Sequence, residues 1–407
     1  MAKKTSIGFS EWHYREQAAI GQGSLTNSKR PECLVKGVYP THFKLGTGAF
    51  LFDTNNKQYV DFICGLGTNL LGYGQTQVTH AIAQQALKGC SYSLASTLEV
   101  EAAEKVKEMF PFIERVKFLK SGSEACSAAL RIARAHTGRA KVLSDGYHGW
   151  HDDFVSLTPP ALGVPFRTSI DKLKTLDQID ETTAAVIVEP VMTDASDARR
   201  EWLNQLRNKC SETGTMLIFD EVITGFRFEG FGVSNHWNIR PDLICLGKAM
   251  ANGMPLAAVG GTAVVMDNPH YFVSSTYAGE TLSLAAALKT MTLLQTSYSP
   301  SKLWDHGARF LAKFNSIHPN QKVKIEGYAV RGVFTGDVLA KALFWQEAVK
   351  AGLLFGPSWF YNFQHIEISD WVLNVCRDII IRIESGLVKL EGELPSSPFA
   401  QKMRESA

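Results

Sequence analysis

Residues 115–136 read RVKFLKSGSEACSAALRIARAH. The first part, Val116 to Leu119, is a short mostly apolar run with strand character. A small turn around Gly122 follows. After it, Cys126, Ala129, Leu130 and Ala133 recur at i, i+3, i+4 and i+7, the spacing of one face of a helix. Strand, turn and helix in this order form the repeating unit of α/β proteins. The pattern recurs downstream. AKVLSDGYHG (140–149), AAVIVEP (184–190), GTMLIFDEV (214–222), DLICLGK (242–248) and AAVGGTAVV (257–265) each read as a strand. In REWLNQLRNKCSETG (200–214), Trp202, Leu203 and Leu206 mark a helix face, and Gly214 is its stop. Continuous apolar strands alternating with helices predict an α/β fold, a mostly parallel sheet sandwiched by helices, over about residues 65–290. The flanking segments, 1–64 and 291–407, read differently. They hold a hairpin, GAFLFDTNNKQYVDF (48–62), turning at Asn55–Asn56, and long amphipathic helices. Both ends are expected to form a small α+β domain.

The bulk numbers exclude several classes. At 407 residues and 45% hydrophobic, the chain has ample material for one large and one smaller domain. A net charge of +2 leaves no nucleic-acid footprint. The seven cysteines, at 33, 64, 90, 126, 210, 245 and 376, are scattered and contain no C-x-x-C pair. That usage fits a reducing compartment, and a cytoplasmic location is expected. The first 17 residues lack the apolar core of a secretory signal, and no window is apolar enough to span a membrane. No repeat is evident, and the tail ELPSSPFAQKMRESA (393–407) reads as disordered.

Ligands of open parallel sheets bind beyond the carboxyl ends of the strands. The polar residues expected there are Ser121, Gly122 and Ser123, then Tyr147 and His148, Glu189, Asp220 and Lys248. In KSGSEAC, the free N–H groups of a helix start favour an anion. Ordinary capping by Ser121 or Ser123, with Glu124 in the first turn, explains the same letters. No G-K-[ST] follows, so it is not a P-loop. Asp220 ends an apolar run, where a carboxylate needs a cation. A protonated ring nitrogen fits, and so does a buried salt bridge, for instance with Arg227. Lys248 follows Leu243–Leu246 and Gly247. A solvated lysine titrates near ~10.4, but burial lowers that value and frees the amine to form a Schiff base. Snorkelling from a strand end is the alternative. Tyr147, in a glycine-flanked loop, can stack on a flat ring or pack on the domain. His148 and His151 lie outside any H-E-x-x-H pattern, so no metal is expected. A phosphate cradle, a carboxylate, an aromatic and a lysine on one rim together match pyridoxal 5′-phosphate (PLP).

Six stretches carry a family resemblance: KSGSEACSAALRIARAHTGR (120–139), GYHG (146–149), VIVEP (186–190), FDEVITGFRF (219–228), LGKAMANGMPLAAVGG (246–261) and STYAGETLSLAAA (275–287). In this order the chain resembles the class III aminotransferases of fold type I and, among them, the glutamate-1-semialdehyde 2,1-aminomutases. The resemblance implies that Lys248 carries the Schiff base and moves protons, and that Asp220 pairs with the pyridinium nitrogen. It implies that Val222 and Tyr147 cover the two ring faces, that Gly122 and Ser123 hold the phosphate, and that Glu189 supports the site. Thr276 would reach the phosphate of a neighbouring subunit, which implies a homodimer with shared sites.

Departures from the pattern concern the substrate. Where the aminomutases carry an arginine able to hold a carboxylate, VYPTHFK (38–44) places His42. A neutral imidazole cannot supply the bidentate clamp of a guanidinium. The loop HGWHDDFVSLTPPALGVP (148–165) is shorter than the gating loop of the aminomutases. Segment 352–370 lacks a clear arginine for an α-carboxylate, which leaves Arg331, Arg227 and Arg30 as candidates for an anionic group. Trp150, His42 and Trp12 are candidates for an acceptor pocket. The expected activity is amino transfer from an amine or amino-acid donor to a ketone or aldehyde, with 2,1-aminomutase activity as the alternative. A nucleotide-binding oxidoreductase would want G-x-G-x-x-G after the first strand, which is absent. A non-catalytic relative would have lost Lys248 or Asp220, and both are present.

Overall fold

The computed structural model describes residues 10–158, 161–164 and 168–396. Parts of the 148–165 loop and most of the 393–407 tail therefore lie outside the described residues. The chain divides into two compact units. The first holds the chain up to Leu66, Gly72–Gly74, and the chain from Leu303. The second holds Gly67–Leu71 and Gln75–Lys302.

In the first unit a helix, Glu11–Ala19, and three 3-10 turns precede strands β1 (Phe43–Thr47), β2 (Phe50–Asp53) and β3 (Gln58–Asp61). β2 and β3 form the expected hairpin. Asp53 Oδ1 accepts from Asn55 N at 2.8 Å, and Asn56 takes the left-handed conformation at φ 68° that asparagine tolerates.

The second unit contains a seven-stranded sheet built from β4 (Arg115–Leu119), β5 (Lys141–Asp145), β6 (Ile170–Lys172), β7 (Thr183–Val188), β8 (Met216–Asp220), β9 (Leu243–Leu246) and β10 (Ala257–Gly261). Its order is β4-β10-β9-β8-β7-β5-β6. Strands β6, β5, β7, β8 and β9 are parallel, whereas β10 is antiparallel to both its neighbours. The reason is chain length. Residues 247–256 connect β9 to β10, too few for the crossover of a dozen or more residues that a parallel pair needs. Two reversals then leave β4 running parallel to β9, and its carboxyl end joins the same rim as the others. Strand β6 is an addition to the sequence reading. Ile170 is its one buried residue, and a three-residue edge strand has no hydrophobic period to detect.

Strands β7, β8, β9 and β10 are buried at every residue, as a sheet covered on both faces requires. The helix Gly122–Thr137 packs on this sheet through Ala125, Cys126, Ala128, Ala129, Leu130, Ile132 and Ala133. Its mostly small buried residues let the helix axis approach closely. Gly138 at φ 68° ends it. The helix Asp197–Thr213 buries Leu203, Leu206 and Cys210 and stops at Gly214, φ 65°. Trp202 is half-buried beneath the Arg199 guanidinium, 4.3 Å from its ring.

The rest of the first unit comprises β11 (Val323–Tyr328), β12 (Arg331–Gly336), β13 (Leu353–Leu354) and β14 (Ser358–Phe360), with helices Val338–Lys350 and Ser369–Glu384. β13 pairs parallel with β3, and β11-β12-β14 form a separate antiparallel sheet.

Candidate active site

Strand register brings the carboxyl ends of the central strands together. Asp145 faces Val188, Val188 faces Phe219, and Asp220 faces Cys245. Leu246 and Phe118 both pair with Ala258. The residues that follow these ends are Lys120–Ser123, Gly146–Gly149, Glu189 and Gly247–Lys248.

Asp220 sits at the middle of this rim, 4% exposed. Its Oδ2 accepts from His148 Nδ1 at 2.7 Å and from Cys126 Sγ at 3.4 Å. Its Oδ1 accepts from the Val222 backbone N–H at 3.0 Å. A carboxylate offers about four acceptor positions, so one position on Oδ1 remains. The neighbouring Glu221 points elsewhere, because adjacent residues of a strand face opposite sides. It is fully buried and accepts from Val233 N, Ser234 N and Thr224 Oγ1. Arg227, a candidate partner for Asp220 and for an anionic substrate, is instead buried at 1% exposure, where it donates to the carbonyls of Gly67 and Ile223.

Close backbone approaches connect the other candidates. A Cβ on Gly122 would lie 2.9 Å from Val222 Cγ1, and one on Gly247 would lie 3.3 Å from the same atom. The Val222 side chain therefore fills the space between the helix start and the residue before Lys248. A Cβ on Gly149, at φ 107°, would lie 2.2 Å from Ser123 Oγ. Trp150 N donates to that oxygen at 3.4 Å. Glu189, buried, accepts from Tyr147 N at 2.9 Å. Gly122, Ser123, His148, Glu189, Asp220, Val222 and Lys248 thus share one rim.

The remaining candidates divide. Ser121 is the cap of helix Gly122–Thr137: its hydroxyl accepts from Glu124 N, and Glu124 Oε2 accepts from Ser121 N at 2.8 Å. Lys248 is half-buried, less than its apolar surroundings suggested, and is left-handed at φ 42° as it opens a 3-10 turn. A non-glycine residue held there is strained, a feature that clusters at functional sites. Tyr147 is 57% exposed and Thr276 is exposed. Trp150 is 70% exposed with its ring edge-on to His151. His42, Arg30, Arg331 and Trp12 belong to the first unit. His42 Nδ1 lies 3.0 Å from Thr41 Oγ1, and Nε2 lies 3.7 Å from Glu16 Oε2. Trp12 is stacked by Arg15, and Arg30 donates to Gln22 at 2.6 Å. Arg331 opens β12 opposite Phe360.

Burial alone would push His148 down, but its hydrogen bonds to Asp220 and Cys126 and the charge of Asp220 raise it to about 10. The ring is therefore an imidazolium at neutral pH, paired with the carboxylate. Cys126, His148 and Asp220 offer ligand atoms within 4.8 Å of one another. In this structure the three are joined by hydrogen bonds that converge on Asp220 Oδ2. His151 is apart from it, with Nδ1 2.8 Å from Ser127 Oγ.

A buried carboxylate with one acceptor position open, beside a helix start cradled by glycines and a lysine at a strand end, fits a ring nitrogen, a phosphate and an aldehyde. The class-III aminotransferase family model matches residues 36–170 and 164–382. The chain belongs to the class-III aminotransferases. It is 32% identical to a glutamate-1-semialdehyde 2,1-aminomutase of Syntrophomonas wolfei subsp. wolfei over 80% of this chain and 85% of that protein. It is 30% identical to a 3-aminobutyryl-CoA aminotransferase of Cloacimonas acidaminovorans over 78% of this chain and 80% of that protein. Among solved structures it resembles the PLP internal aldimine form of FumI from Sphingopyxis sp. MTA144, with a TM-score of 0.86, 25% identity, and 94% and 97% of the two chains covered. The protein is a PLP-dependent transaminase of fold type I. Among the described residues, no helix is long and apolar enough to cross a membrane.

Two outcomes follow for this class-III aminotransferase. His148 is raised from 6.5 to about 10 on folding. Its pairing therefore stabilises the fold fully below about pH 6.5, and that contribution is lost as pH rises through about 10. The thermal midpoint of His148→Gln should lie below that of the parent near about pH 6, with the gap narrowing above about pH 10. Separately, Gly149→Ala forces a side chain onto Ser123 at a left-handed position. Equilibrium dialysis should show PLP retained at least about tenfold more weakly, a loss of about 1.4 kcal/mol.

Proposed function

We propose that this class-III aminotransferase moves an amino group from an amine or amino acid to a ketone or aldehyde, with Lys248 as the covalent attachment point of the cofactor. When bound, PLP supplies the electron sink and carries the amino nitrogen between donor and acceptor. Lys248 Nζ would be the attachment point for the cofactor's aldehyde and would carry a proton to and from the substrate carbon. Asp220 Oδ1 would accept from the ring nitrogen and keep it protonated. Val222 and Tyr147 would pack on the ring, Gly122 and Ser123 would hold the phosphate, and Glu189 holds the Tyr147 backbone. Thr276 serves the site of a second copy in a homodimer. The single observation that carries this assignment is Asp220, buried and hydrogen-bonded at three positions while one acceptor position on Oδ1 stays open.

The residue at position 42 favours amino transfer over the aminomutase reaction. Where the aminomutases carry an arginine, this chain has His42, and a neutral imidazole gives a carboxylate substrate no bidentate clamp. The acceptor is therefore a carbonyl compound that does not depend on a carboxylate clamp at His42.

Borohydride reduction followed by peptide mapping should place the cofactor on Lys248. Lys248→Ala should lose transamination by at least about 10³-fold, in keeping with the loss of a covalent nucleophile and proton carrier. A panel of amines and amino acids mixed singly with the yellow enzyme should bleach the cofactor absorbance stoichiometrically. Conversion of glutamate-1-semialdehyde with no added donor would replace this reading with the aminomutase.

A further inference from the structure

Cys126 has no part in the chemistry above, yet it touches the residue on which that chemistry depends. It lies one helical turn after Gly122, on the same face of helix Gly122–Thr137. The helix that presents its N-terminus to the cradle therefore also delivers a thiol to Asp220. Cys126 is 1% exposed, and its Sγ lies 3.4 Å from Asp220 Oδ2. Behind it, Cys245 stands directly opposite Asp220 in the β8–β9 register. On the other side, His148 Nδ1 holds the same carboxylate oxygen at 2.7 Å. His148 is 2% exposed, and its Nε2 has no hydrogen-bond partner among the described residues. Its second ring nitrogen thus contributes no protein bond that would fix the Asp220 pair from behind.

We propose that Cys126 is a positioning residue: its S–H donates to Asp220 Oδ2 and, together with His148, fixes the carboxylate plane so that Oδ1 is presented to the cofactor's ring nitrogen. This rests on the assignment of Asp220 to that nitrogen. The geometry works by occupancy. Two donors engage Oδ2, and the Val222 N–H takes one side of Oδ1. Rotation of this 4% exposed carboxylate would break all three bonds at once. Burial, Cys245 and Asp220 all push the Cys126 thiol up, so it keeps its proton and remains a donor at neutral pH.

The test compares Cys126→Ala, Cys126→Ser and Asp220→Asn with the parent. Infrared spectra of the cofactor-free protein should show an S–H stretch at low frequency that vanishes in Cys126→Ala. It should move to higher frequency in Asp220→Asn, where a neutral amide replaces the carboxylate. In the PLP-loaded enzyme, Cys126→Ala should shift the visible absorption maximum and lower kcat about tenfold, the scale of one hydrogen bond to a charged group, with KM changed by less than about twofold. Cys126→Ser, which restores a donor, should recover most of that loss. A thiol stretch that ignores Asp220→Asn overturns the proposal, whatever the activity or folding of the cysteine variants. An unchanged spectrum and kcat in Cys126→Ala, beside an inactive Asp220→Asn, overturns it alone and leaves the Asp220 assignment standing. Full activity in Asp220→Asn overturns that assignment and the proposal with it.

Discussion

A carboxylate buried at the end of a fully apolar strand is the constraint around which the rim is built. Removing Asp220 from water without partners would cost several kcal/mol. Its neighbours meet that cost by a cation, a thiol and a backbone N–H, each from a different part of the chain. His148 arrives from the loop after β5, Cys126 from the helix after β4, and Val222 from the turn after β8 itself. The position of Asp220 therefore fixes three segments relative to one another. His148 gains as well, because the same pairing keeps a nearly buried imidazole charged.

That convergence depends on the topology of the sheet. Because the β9–β10 connection is too short for a crossover, β10 runs backwards, and β4 is restored to the direction of the parallel strands. Were β10 parallel to β9 with β4 still antiparallel to it, the turn Lys120–Ser123 would face the opposite edge of the sheet. The helix dipole would then have no ligand to act on. The same short connection contains Gly247 and the left-handed Lys248, so one local feature sets both the lysine's position and the cradle's direction. Glycines at 122 and 149 complete the arrangement, since a side chain there would press on Val222 or Ser123, and one at 247 would crowd Val222 more mildly.

Family membership alone does not choose between substrates. Proteins about 30% identical to this chain include an aminomutase and an acyl-CoA aminotransferase. Both need an electron sink, a ring-nitrogen partner and a proton-carrying lysine, so those parts do not discriminate. Discrimination rests on what holds the remainder of the substrate. His42, in place of the arginine of the aminomutases, is the sequence difference that bears on it, because planar bidentate recognition of a carboxylate requires a guanidinium.

The residues to which the cofactor chemistry is assigned stand out in the sequence because each sits where an apolar run stops. Lys248, Asp220, Glu189 and the Ser121–Ser123 turn all interrupt a strand pattern, and a polar residue in that place is a visible anomaly. The strands of the seven-stranded sheet were legible for the same reason, apart from β6, which has one buried residue and no period; β1 and the strands after residue 320 were not read from the sequence. Cys126 was legible only as core: its spacing with Ala129, Leu130 and Ala133 is that of a buried helix face, and it does lie on that face. Nothing in a period of 3.6 says that one of those side chains meets a carboxylate. Arg227 shows the converse. Its nearness in sequence to Asp220 suggested a salt bridge, but the turn after β8 carries it away to the Gly67 carbonyl. The sequence by itself determined the fold class and the chemical groups available, because local periodicity and strand ends are local properties. Tertiary structure alone decided which donors meet Asp220 and that β4 joins the rim, because both follow from strand direction and register between segments distant in the chain.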